Sequence, residues 1–137
     1  MSYATQADLI ARFGEVEISQ VADTDGSGEI DAALIARALA DADAEIDAAL
    51  AGRYQLPLPS VPPLLVRIAC DLARFALYTD AVTEIVAQRR ATAARLLADL
   101  AAGRTTLGLA EPPAAADSGN PVAVRAPERI FGPDLGY

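Results

Sequence analysis

A chain of 137 residues holds one modest domain with a tail and can bury roughly two thirds of its unfolded surface. Hydrophobic residues make up 53% of it, yet no apolar run approaches the roughly 20 residues of a membrane span, so no membrane partner is expected. The net charge of −8 lies in the first half, where residues 1–52 carry 11 acidic and 2 basic side chains against 8 and 9 in residues 53–137; such a surface repels phosphate backbones, and sequence-specific nucleic-acid binding is not expected.

The opening lacks the basic and apolar blocks of a secretory signal, and a cytoplasmic setting is expected. Thr5-Gln6-Ala7-Asp8 has the pattern of a helix start, with Thr5 as N-cap and Asp8 in the first turn, leading through Leu9, Ile10 and Phe13 to a stop at Gly14. A second brief helical turn over 15–22 is suggested by Val16, Ile18 and Val21, which are only loosely periodic.

Asp23-Thr24-Asp25-Gly26-Ser27-Gly28-Glu29-Ile30-Asp31 follows the first nine positions of an EF-hand calcium loop. Asp23, Asp25, Ser27 and Asp31 supply oxygens at positions one, three, five and nine, Gly28 stands at six, and Glu29 offers its carbonyl at seven. Position twelve is Leu34 where the closing bidentate glutamate belongs, so any calcium bound is expected at the weak, roughly millimolar end. The competing reading is a turn: Asp23 and Asp25 bond the backbone, Gly26 and Gly28 take left-handed conformations, and Asp31 caps the next helix.

From Asp31 the spacing of Leu34, Ile35, Ala38, Leu39, Ala42, Ile46, Ala49 and Leu50 predicts a helix ending near Gly52, about 30 Å long. Asp41, Asp43, Glu45 and Asp47 form an acidic stripe on its other face. Residues 54–63, with four prolines, read as a stiff connector. Pro62 or Pro63 opens a helix to about Tyr78 with Leu64, Leu65, Ile68, Leu72, Phe75 and Ala76 inward and Arg67, Asp71 and Arg74 outward. A last helix from Thr83 to Gly103 sets Ile85, Val86, Ala93, Leu96, Leu97 and Leu100 on one side and Arg89, Arg90 and Arg95 around the other. Cys70, within an apolar run of a chain without histidine, reads as a small core residue and not a nucleophile.

The fold class expected is all-α: a small bundle of three main helices plus a short N-terminal helix over 1–103, followed by an extended docking tail over 104–137. Prolines and glycines keep the tail from long regular elements, yet Val122, Val124, Ile130, Phe131, Leu135 and Tyr137 are apolar. Docking of these groups, with Arg129, on another protein is preferred to folding back. No nucleophile elbow, phosphate loop or CxxC pair is present, so an enzyme is not expected.

The runs from Tyr3 to Gly14, Ala44 to Asp47, Gly52 to Leu58, Val61 to Arg74 and Arg129 to Tyr137, together with the aspartate and glycine loop, resemble the Mu-like phage and prophage head-morphogenesis family. Gly132 and Pro133 depart from that family's more polar ending. The family in turn looks like the head-tail connector, or adaptor, proteins of tailed phages. The resemblance implies a structural virion protein at the head-tail junction, present in the host cytoplasm during assembly. Its implied partners are copies of itself in a dodecameric ring through which DNA passes, the portal protein gripped by the tail, and the next connector or tail protein. Ring subunits meet head to tail, so Arg89, Arg90 and Arg95 are expected to face Asp41, Asp43, Glu45 or Asp47 of a neighbour. No cofactor is required on this reading. The alternative is a calcium-dependent interaction module built on loop 23–34.

Overall fold

A computed structural model describes residues 2–109, and these form an all-α bundle of five helices: α1 (Gln6–Phe13), α2 (Glu15–Val21), α3 (Ala32–Leu50), α4 (Pro63–Leu77) and α5 (Glu84–Ala102). The starts follow from local chemistry. Thr5 accepts from the Asp8 amide at 3.2 Å while the Asp8 carboxylate accepts from the Thr5 amide at 2.9 Å, a reciprocal capping box. Asp31 caps α3 through the amides of Ala33 and Leu34, Pro63 takes the first position of α4 where no amide donor is needed, and Thr83 caps α5. At the far end of α5, Gly103 takes a left-handed conformation with φ of 79°, a backbone that asks for glycine.

The core is continuous from Leu9 and Ile18 through Ile35, Ile46 and Leu50 of α3 to Leu65, Ile68 and Leu77 of α4 and Leu97 and Leu100 of α5. At such positions truncation to alanine costs about 2–5 kcal/mol. The N-terminal end is pinned to this body: the Tyr3 amide donates to Asp43 at 2.9 Å, its hydroxyl donates to Asp47, and its ring is buried. Tyr54 anchors the other end, where its hydroxyl accepts from the Leu107 amide at 3.0 Å.

Four features differ from the sequence expectation. The brief helical turn expected after Gly14 extends to a helix of seven residues, α2, because Ile18 enters the core and Glu17 is gripped by Arg74. Asp71, expected outward, is buried, since α4 is enclosed by α1, α3 and α5 together. Ile85 and Ala76, both expected inward, are exposed: α5 turns Val86, one position on from Ile85, into the bundle, and α4 buries Leu72, Ala73 and Leu77 while Ala76 stays at the surface. The body also continues past Gly103: Leu107 and Leu109 pack against the core, which moves the edge of the folded unit to at least residue 109. Among the described residues no helix is long and apolar enough to cross a membrane.

Candidate functional site

The loop between α2 and α3 closes on its own backbone. Asp23 accepts from the amides of Gly26 (2.8 Å), Ser27 (3.1 Å) and Gly28 (2.8 Å), and Asp25 accepts from the Ser27 amide at 3.0 Å. Ser27 turns its hydroxyl oxygen to the Glu29 amide, and Asp31 receives the Thr24 hydroxyl on one oxygen while capping α3 with the other. Bonding from Ser27 holds the Asp25 carboxyl below its usual range. Gly26 and Gly28 have φ of 75° and 83°, as the turn reading requires. Leu34, at the closing position, is half-buried against the core, and among the described residues no three Asp, Glu, His or Cys side chains gather where a metal ion could sit. The residues Asp23, Asp25, Ser27, Glu29 and Asp31 are thus arranged as a turn that fixes how α2 meets α3.

The charged groups assigned to subunit contacts divide in two. Arg90 meets Glu45 of its own chain at 3.3 Å and lies 5.4 Å from the centre of the Phe75 ring, tying α5 to α3 and α4. Arg89 reaches the buried Asp71 at 3.5 Å, with Arg67 on its other side at 3.9 Å. Burial pushes the Asp71 carboxyl up despite both arginines. Asp43 and Asp47 hold Tyr3, which burial and then the Asp47 bond push upward in turn. Arg90 thus has an acidic partner, Glu45, within its own subunit, because α5 lies alongside α3 in the same bundle. Asp41 and Arg95 are exposed, and neither has an ion pair among the described residues.

A groove runs beside these charges. Ala38, Ala42, Leu72 and Phe75 floor a hollow of about 210 Å³ between α3 and α4, with Ala76 and Asp41 at its rim and Arg90 at its end. Sequence reading placed its apolar members in the core. The alanines at 38, 42 and 76 are the signal available in the sequence, since small residues spaced four apart on one helix and matched on its neighbour leave space between two backbones. Cys70 is buried, and its thiol is pushed up to about 11 by that burial.

A second cluster escaped the sequence reading entirely. Arg74 donates to both oxygens of Glu17, at 2.6 and 2.9 Å, lies 4.1 Å from the Phe13 ring centre, and shares Glu17 with the Tyr78 hydroxyl at 3.0 Å. Nothing in a spacing rule joins residues 57 positions apart. The tail residues Val122, Val124, Arg129, Ile130, Phe131, Leu135 and Tyr137 lie outside the described residues.

A family model described as Bacteriophage Mu, Gp36 matches residues 3–126. The chain is 32% identical over 130 residues to the Mu-like prophage FluMu protein gp36 of Haemophilus influenzae, covering 95% of this chain and 92% of that protein. It is 35% identical over 133 residues to Gene product J of Escherichia phage Mu, covering 96% and 94% respectively.

Proposed function

This chain belongs to the bacteriophage Mu Gp36 family, and from that premise we propose that it is a structural head-tail connector subunit of a Mu-like phage or prophage. Membership in a phage family sets it in the virion or in the cytoplasm of the infected host. On this reading it forms a ring below the portal, meets the next connector or tail protein on the far side, and grips the portal through Arg129, Ile130, Phe131 and the apolar groups around them.

The observation that carries the reading is one of organisation. The likeness runs over nearly the full length of both relatives, and the described residues close one helical core, held also by the Tyr3–Asp43 and Arg74–Glu17 contacts. A small helical body with no built pocket chemistry of its own among the described residues suits a protein whose work is contact with neighbours. Its role as a non-enzyme follows from the same reading. Immunogold labelling of particles assembled with an epitope-tagged copy tests it. Label confined to the vertex where head meets tail is the expected result, and label spread over the capsid or absent from particles contradicts it.

A further inference from the structure

The bundle carries an exposed apolar knob and an apolar groove on opposite flanks of one helix. Ile85 is 64% exposed at the start of α5. Arg90, five residues on, points to the groove of Ala38, Ala42, Leu72, Phe75 and Ala76, and at 3.6 residues per turn the two positions stand about 140° apart around the helix. Arg89 lies one turn beyond Ile85 on the same flank; it is half-exposed and holds Asp71 only at 3.5 Å. The groove rim carries Asp41, an exposed carboxylate with no ion pair among the described residues. The hollow, at about 210 Å³, has room for an aliphatic side chain.

We propose that the occupant of this groove is a second copy of the chain, whose Ile85 enters the hollow while its Arg89 reaches Asp41. A knob and a groove on different faces give a head-to-tail contact, which repeats from copy to copy and closes into a ring when the rotation between copies allows it. The inference rests on the ring reading above and gives it a subunit contact. Both halves of the contact, apolar and charged, are present on the one chain, which is what singles out a second copy as the partner.

Cysteine cross-linking of the full-length chain tests this, with the native Cys70 buried and out of reach. The double variant Ile85→Cys with Ala76→Cys, oxidised at high protein concentration, is expected to give a ladder of dimers and higher multimers on a non-reducing gel. Neither single variant gives the ladder, and mixing the two singles gives dimer only. Adding Asp41→Arg to the double variant removes the ladder. Dimer from Ile85→Cys alone, in the amount given by the mixture, overturns the proposal in favour of a symmetric contact. Protection of Ala76→Cys from a maleimide without any ladder overturns it in favour of another occupant, the chain's own C-terminal residues included. No ladder and no protection, from protein that sediments as multimers, shows the contact to be misplaced and leaves the ring reading standing; no ladder from protein that stays monomeric with and without portal sinks both.

Discussion

Arg74 is the side chain on which the junction of α1, α2 and α4 turns. It stacks on Phe13 and forks onto Glu17, and neither contact survives truncation, so Arg74→Ala is expected to cost about 2 kcal/mol in urea unfolding. Bonding from Arg74, and then from Tyr78, holds the Glu17 carboxyl below its usual value near 4.5. A depressed folded value means that the stabilisation is complete above the unfolded value and is lost as pH falls through the folded one. The gap between wild type and Arg74→Ala should therefore narrow as the pH is lowered below about 4.5; a gap that stays constant to pH 3 would show that the ion pair contributes nothing. Asp71 has the opposite sign. Its carboxyl is raised by burial, so its ionised form weighs against the fold increasingly as pH climbs through the folded value. Asp71→Asn should leave stability at pH 7 unchanged or higher, and a loss beyond about 1 kcal/mol would mean that Arg67 and Arg89 hold the carboxylate more firmly than their 3.9 and 3.5 Å distances indicate.

At the scale of elements, the helix boundaries were legible because they are written in local chemistry. Thr5 with Asp8, Asp31, Pro63, Thr83 and Gly103 each start or stop a helix for a reason confined to a few neighbouring residues. What sequence could not supply is how a helix is turned or how deeply it is enclosed. Ile85 and Val86 are adjacent apolar residues, and only the packing of α5 decides which enters the bundle. Asp71 shares a polar spacing with Arg67 and Arg74, but α4 is surrounded on three sides. The loop before α3 was legible as a turn and also as part of a calcium site, and its hydrogen bonds follow the turn. Asp31→Ala removes the cap of α3 and is expected to cost about 1 kcal/mol. Melting in excess calcium and in chelator should coincide for the wild-type chain if the loop is only a turn; a rise of several degrees with calcium would favour the metal reading.

At the scale of the whole molecule, the all-α class and the order of elements could be read in advance, because each amphipathic run needs a neighbour and five of them suffice for one core. The candidate site was legible only in its members. Asp41, Glu45, Arg89 and Arg90 were named as charges for a neighbour, yet Arg90 and Glu45 are spent within the subunit, while the groove beside them was hidden among residues that read as core. Pairings between positions far apart in the chain carry no spacing signal, which is why Glu17 with Arg74 and Tyr3 with Asp47 emerge only once the helices are packed.

The claim on which the account depends is that the bundle is complete in itself and that the residues near the carboxyl end act on another protein. Co-sedimentation of the full-length chain with assembled portal protein, beside a variant carrying Ile130→Asp and Phe131→Asp, tests it most directly. The account predicts that wild type pellets with portal while the variant stays in the supernatant with an unchanged melting temperature. A variant that pellets as well as wild type, or one that loses portal binding only because its bundle has melted, would contradict it.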